Sequence, residues 1–417
     1  MKILITSDWY KPAINGVVTS IINLSEELTK IGHDVKILTL SRNVSSYKEG
    51  NVFYIKSIPF NVYPEVRASV LLFDELLDEL VAWKPDVVHS QCEFFTYTYG
   101  KLVAKRAHCP LVHTYHTMYE DYSSYLKIKK ELGKHIIAFM SKNRLRDATV
   151  VVAPTIKVRR ILKSYEITKE IKIVPTGIDL SKYDYDLKDT DIIKLKGKYN
   201  IPLNSKILLY LGRLGKEKNL IELLNSFNVL INSNKNVHLL IVGGGPFESK
   251  VRDTIEKLKL TKFVTMTGMV NPEEVPNFYK AADIFVSASQ SETQGLTYIE
   301  AISNGLALVC KYDECLENVL IDGFNGYFFK DSNEFSEKIN YILNNDLLDK
   351  LKSNSLKKRS SYSKEFFADS FVNIYNLAIN LHKNKPKRID LKLDHFGKIL
   401  NVQEYWIRRF KNNRFFN

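Results

Sequence analysis

Glu292 and Glu300 stand with seven residues between them in the stretch SETQGLTYIE, residues 291–300. The apolar run DIFVSAS comes just before and reads as a strand, and LTYIEAISN comes after and reads as a helix stopped by a C′ glycine, Gly305. A helix that opens after Gly295 presents free amides and a partial positive charge, which suits phosphate oxygens. Neither glutamate is then suited to touch an anion, but carboxylates are strong acceptors for hydroxyls, as the acidic residue on the ribose of dinucleotide folds is. Upstream, YLGRLGKEKN places Arg213 and Lys218 in a loop directly after a strand. Two fixed cations there suit a diphosphate, and arginine can bind two oxygens at once. Alone, that loop reads equally well as a solvated turn. A helix-start preference explains Glu292 alone, but not Glu292 together with Arg213 and Lys218. A ligand with hydroxyls on both sides of a diphosphate would use all four side chains. That ligand is a nucleotide sugar.

Three further stretches carry weaker signals. DWYKPAINGVVTS follows the first strand, and Asn15-Gly16 opens a helix whose amides could face an anion or simply make a turn. HTYHTMYEDY groups His113, His116, Glu120 and Asp121 after a strand, but H-x-x-H without further ligand spacing argues weakly for zinc. IVGGGPFES lacks both the third spaced glycine of a dinucleotide fingerprint and the Gly-Lys-Ser/Thr of a P-loop.

These stretches need elements to position them. Short apolar, β-branched runs (KILITSD, HDVKILTL, PDVVHSQ, CPLVHTYH) alternate with helical patterns such as GVVTSIINLSEELTKIG. The alternation restarts after residue 205 with KILLYLG, VHLLIVGGG, FVTMTG, DIFVSAS and LALVCK. Strands joined by crossover helices make parallel sheets, so the expectation is an α/β chain with two doubly wound Rossmann-like domains. PTGIDLSKYDYDLKDTD reads as their connection. The expected division is 1–175, 176–365 and a C-terminal helix with a basic tail, 366–417. Ligands bind beyond the carboxyl ends of such strands, where all the motifs lie, so two facing sheets would share one cleft.

The chain has 417 residues, too many for one compact core, and 45% of them are hydrophobic, which excludes a disordered chain. Its four cysteines, Cys92, Cys109, Cys310 and Cys315, form no C-x-x-C pair and suit a reducing cytosol. MKILITSDWY lacks the apolar core and cleavage site of a signal peptide, and no apolar run reaches the roughly 18 residues that span a bilayer. A cytoplasmic protein, soluble or held on a surface, is expected. The net charge of +13 is concentrated: residues 127–146 carry +6 and residues 383–417 carry +7, leaving the rest neutral. Clustered charge of one sign implies a polyanionic partner.

Taken together, SETQGLTYIEA, GRLGKEKN, VPTGID and INGVVTS resemble the retaining GT-B glycosyltransferases of family 4, over about residues 1 to 380. HTYHTMYEDY narrows the resemblance to bacterial enzymes similar to 1,2-diacylglycerol 3-glucosyltransferases, which move glucose from UDP-glucose to a membrane lipid. The chain departs from the family pattern in having Asn15-Gly16 for a glycine pair, and NGLALVC where a proline is usual. The resemblance implies that Arg213 and Lys218 hold the diphosphate and stabilise leaving UDP, and that Glu300 accepts from the ribose. It implies that Glu292 binds the donor sugar, with the Gly295 and Leu296 amides near sugar and phosphate. Gly16, beside Asn15, would admit the diphosphate to the first domain, and His116 would approach the sugar. His116, Arg213, Lys218 and Glu292 are thus the expected catalytic residues. No D-x-D-like acidic pair is placed to hold a metal, and the UDP-sugar is a substrate, so no cofactor is expected.

The basic segments then acquire a partner, an anionic lipid surface beside the diacylglycerol acceptor on the inner face of the cell membrane. Lys127, Lys129, Lys130, Lys134, Arg144 and Arg146 surround Ile137 and Phe139 in a pattern suited to an interfacial helix. Trp406, Arg408, Arg409 and Phe410 repeat it in the tail. Anionic lipid attracts each nearby basic residue by roughly 1 kcal/mol. Both helices could instead pack their apolar faces on the protein. The rival functions are transfer to a glycolipid or polyprenyl-linked glycan, UDP-sugar 2-epimerisation, and binding of single-stranded nucleic acid through basic and aromatic residues. The last would leave the cleft motifs unexplained, so no nucleic acid is expected.

Overall fold

A computed structural model describes the chain except for residues 14, 44, 60–66, 70–73, 117–129 and 385–417, and except for the side chains of 130–134. Runs such as ILIT and VVHS are buried along their whole length, as strands covered on both faces of a parallel sheet must be. The first domain holds β1 (Lys2–Thr6), β2 (Asp34–Leu40), β3 (Tyr47–Glu49) and β4 (Val52–Ile55), then a two-stranded ribbon of β5 (Ile58–Pro59) and β6 (Arg67–Ala68). It continues with β7 (Val87–Ser90), β8 (Leu111–Thr114), β9 (Val150–Ala153) and β10 (Glu170–Ile173). Its main sheet runs β10-β9-β8-β7-β1-β2-β4-β3, parallel except for the edge strand β3. The second domain holds β11 (Lys206–Leu211), β12 (Val237–Val242), β13 (Val264–Gly268), β14 (Ile284–Ser287), β15 (Ala307–Lys311) and β16 (Gly326–Phe329). These form one sheet in the order β13-β12-β11-β14-β15-β16, with every pair parallel.

All nine strands expected from the apolar runs are present. β3, β4, β5, β6, β9, β10 and β16 are additional. Strand order reverses between β1 and β7 in the first sheet and between β11 and β14 in the second. Loops diverge at such points and leave a crevice at the strands' carboxyl ends. The loops after β1, β7, β11 and β14 are therefore the ones positioned to build a site.

The helix Gly16–Lys30 follows β1 and buries Ile21, Leu24 and Leu28, a stripe at helical spacing, against the first sheet. The last described helix, Lys364–Lys383, comes after the second sheet yet packs Phe367, Phe371, Ile374 and Tyr375 into that same first core. Its Tyr375 hydroxyl lies 2.8 Å from Nδ1 of the buried His89 on β7. Among the described residues no helix is long and apolar enough to cross a membrane.

Candidate active site

The second sheet supplies the charges. β11 ends at Leu211, and the loop after it carries Arg213, whose guanidinium pairs with the Glu217 carboxylate, and Lys218. Lys218 Nζ donates to Glu292 Oε1 at 2.6 Å, which joins the β11 loop to the β14 loop across the reversal point. Ser289 Oγ donates to the same Glu292 oxygen at 3.1 Å, and Ser291 Oγ donates to the Glu217 carbonyl at 3.0 Å. Both sequence-expected diphosphate cations thus sit at one strand end, each already facing a carboxylate. In the GGG turn after β12, a Cβ on Gly243 would lie 2.1 Å from the Gly212 carbonyl. The turn packs backbone against backbone, supporting the loop that carries Arg213.

The helix Leu296–Ser303 begins where the turn places it. Gly295 has φ +72°, and a Cβ there would meet the Tyr298 ring at 2.4 Å, so only glycine fits. No side chain caps this end of the helix. A Cβ built on Gly16 would lie 3.5 Å from Leu296 Cδ1, so the first domain's helix start and the second domain's helix start meet across the cleft. Asn15 caps its own helix, with Oδ1 accepting from the Val18 amide at 3.0 Å, so its carbonyl oxygen serves the backbone. Glu300 lies one turn in and accepts from the Tyr279 hydroxyl at 2.7 Å. Burial raises its pKa, while the hydroxyls of Tyr279 and Tyr183 oppose the rise.

The first sheet supplies the histidines. His116 follows β8, and its Nε2 shares a short hydrogen bond with Gln91 Oε1. Because an amide oxygen accepts, Nε2 carries the proton and Nδ1 is left as an acceptor. Burial, with His113 adding to it, pushes the His116 pKa down to about 3, so the imidazole is neutral at physiological pH. His113 Nε2 lies 3.2 Å from Glu93 Oε1. Asp8, just past β1, accepts from the Thr96 amide at 2.9 Å, and burial raises its pKa to about 6 against the pull of that bond.

Residues 14–182 match the family model described as Glycosyltransferase Family 4, and residues 191–363 match Glycosyl transferases group 1. The chain is 31% identical over 381 residues to the alpha-monoglucosyldiacylglycerol synthase of Streptococcus pneumoniae, covering 89% of this chain and 86% of that one. It is 30% identical over 396 residues to the synthase of the same name from Acholeplasma laidlawii, covering 92% and 99%. The chain belongs to the family 4 glycosyltransferases. The solved structure of HepE from Anabaena in complex with UDP superposes with a TM-score of 0.72 at 17% identity, over 90% of this chain and all of that one. Sucrose-phosphate synthase from Thermosynechococcus elongatus superposes with a TM-score of 0.67 at 18% identity, over 90% and 98%. The fold is GT-B.

In this glycosyltransferase the helix Lys130–Leu145 divides its side chains. Ile137 and Ala138 pack against the cluster around Tyr115 and Leu145. Arg144 Nη1 donates to Thr98 Oγ1 at 3.1 Å, and the Arg144 carbonyl accepts from Tyr97. Ile137 and Arg144 therefore serve the protein's own packing, whereas Phe139, 69% exposed, and Met140 and Arg146 face outward. Lys127, Lys129, Trp406, Arg408, Arg409 and Phe410, with Glu120 and Asp121, lie outside the described residues, as do the side chains of Lys130 and Lys134. Sequence reasoning missed Glu217, Tyr279, Tyr183, Asp8 and Gln91. Only Glu217 carried a local signal, four residues after Arg213 in the same loop.

Proposed function

We propose that this glycosyltransferase moves a hexose, read here as glucose, from a UDP-sugar to diacylglycerol, with retention at the anomeric carbon. The supporting observation is the convergence of Arg213, Lys218, Glu292 and the open start of the helix Leu296–Ser303 at one reversal point, with Glu300 one turn away. Similarity across most of the chain to two alpha-monoglucosyldiacylglycerol synthases supports the acceptor, and the UDP and UDP-glucose complexes of HepE support the donor. In this reading 1–175 is the acceptor and membrane side, 176–365 holds the donor, and 366–417 returns to the first domain and continues as the basic tail. The enzyme works peripherally on the cytoplasmic face of the membrane.

In the proposed reaction the bond between the anomeric carbon and the phosphate oxygen breaks, and its electron pair stays on UDP. Arg213, Lys218 and the helix start stabilise that charge where it develops. Glu292 and neutral His116 hold sugar hydroxyls, the carboxylate and Nδ1 both accepting. The acceptor's hydroxyl oxygen bonds to the carbon on the face that UDP leaves, and its proton passes to the departing phosphate. Fixed cations carry the counter-charge, so the step is written without a metal.

The test is UDP release from a panel of UDP-sugars, with and without diacylglycerol, in mixed micelles containing anionic lipid. Release from UDP-glucose that requires diacylglycerol supports donor and acceptor together. Slow release that ignores the lipid means another acceptor, and no release from any donor removes the transferase reading.

A further inference from the structure

The loop that carries Glu292 is held by the other domain. Thr155, which caps the helix Ile156–Ser164 in the first domain, donates its hydroxyl to the Thr293 carbonyl at 2.8 Å. Gln294 pairs with the backbone of Thr176, accepting from its amide at 2.8 Å and donating to its carbonyl at 3.1 Å. Lys157, two residues into the chain beyond Thr155, reaches three acceptors with one ammonium: the Gln290 carbonyl at 2.9 Å, the Glu292 carbonyl at 3.2 Å and Asp313 Oδ2 at 2.7 Å. An ammonium has three hydrogens, so all three are used. Asp313 is fixed in turn, its other oxygen accepting from the Cys315 amide at 2.8 Å, and both side chains of the ion pair are largely buried. Three of the five residues from Gln290 to Gln294 are thus tied to groups of the first domain and a fourth, Gln294, to Thr176 at the start of the connection, while the carboxylate of Glu292 points to Lys218.

We propose that Lys157 is a positioning residue for donor-sugar binding: it sets the place of the Glu292 carboxylate by gripping the backbone on either side of it from the opposite domain. This rests on the reading that Glu292 holds the donor sugar. Three directed hydrogen bonds from a largely buried cation fix a loop more tightly than a single exposed ion pair does. The arrangement also ties the sugar-binding carboxylate to the relative placement of the two sheets. The sugar pocket is then complete only when the domains stand in this arrangement.

The test uses the full chain and compares binding of UDP with binding of UDP-glucose by calorimetry, in wild type, Lys157→Met, Asp313→Asn, Glu292→Gln and the double variant Lys157→Met/Glu292→Gln. Lys157→Met and Asp313→Asn should each weaken UDP-glucose about tenfold while leaving UDP within twofold, which also shows that the variants fold. The double variant should be no weaker than Glu292→Gln, since Lys157 acts through that carboxylate; contacting residues give such non-additive cycles. Multiplying effects in the double variant, equal loss of UDP and UDP-glucose, or an unchanged UDP-glucose affinity in Lys157→Met would each overturn the proposal. A wild-type chain that binds neither ligand would instead overturn the reading of the site. Hydrogen exchange of the 289–295 amides then decides on the tether, which fails if Lys157→Met leaves their exchange unchanged.

Discussion

Lys218 and Glu292 form a 2.6 Å ion pair with both side chains mostly shielded from solvent, so removing either leaves the other short of its partner. Their tasks in the proposed reaction differ, and so do the expected losses. Glu292→Ala should lower turnover far more than UDP affinity, because the proposed reaction has this carboxylate on the sugar. Glu300→Ala should weaken UDP about tenfold, because in the proposed reading the carboxylate beside Tyr279 accepts from the ribose. Equal loss of UDP affinity in the two, measured by calorimetry, would contradict the division. Asp8 makes a different prediction. Its folded pKa is about 6 against an ordinary 3.8, so between those values the folded chain binds a proton that the unfolded chain has released. Its contribution to stability is therefore favourable below about pH 4 and is lost as pH rises through 6, by about 3 kcal/mol at most. Asp8→Asn keeps an acceptor for the Thr96 amide without that charge. The melting temperature of the variant should gain on wild type between pH 4 and pH 7, and a constant difference across that range would sink the assignment.

The start of the helix Leu296–Ser303 depends on one backbone conformation, and Gly295 is the residue that permits it. Gly295→Ala forces a methyl into the Tyr298 ring at a left-handed φ, so the loop must shift. Donor affinity should fall at least tenfold, with a loss of stability of about 1–2 kcal/mol by denaturant titration; wild-type affinity for UDP-glucose would show that the helix start does not touch the donor. This element was legible because a strand, a glycine turn and a periodic helix follow one another within twenty-two residues, from Asp283 to Asn304. β10 and β16 were not. EIKI mixes charges into a four-residue sheet-edge strand, and GYFF follows a turn with no flanking pattern, so period and length gave no separate signal. β9 has the apolar run VVVA but follows directly on the basic helical segment that dominates its surroundings. In the site, Arg213, Lys218 and Glu292 were readable from residue type beside strand ends. Lys157 was not, since the carbonyls it grips lie more than 130 residues away and no local pattern marks them.

At the scale of the whole chain the charge is divided unequally: residues 127–146 and 383–417 hold all of the +13, and the rest is neutral. Each basic residue near an anionic bilayer adds roughly 1 kcal/mol of attraction, which falls off within the roughly 8 Å screening length of physiological salt. Charge alone therefore gives binding that salt removes, and an apolar anchor is needed for a salt-resistant part. The helix Lys130–Leu145 offers one, because Phe139 and Met140 face outward while Ile137 and Ala138 hold the helix to the first domain. Phe139→Ser/Met140→Ser removes the outward pair and leaves the inward face intact, so the fold should keep its melting temperature. Burying a side chain of this kind contributes about 1.5–3 kcal/mol when complete. The double variant should then bind vesicles of anionic lipid about tenfold more weakly, with most of the loss persisting at high salt. A chain cut after residue 382 should show the opposite signature, a large loss at low salt that shrinks as salt rises, since it removes charge. UDP affinity should be unchanged in both. If the Phe139 and Met140 variant binds vesicles as wild type does at every salt concentration, the outward face of this helix meets something other than lipid, and the first domain's approach to its acceptor must be sought on another surface.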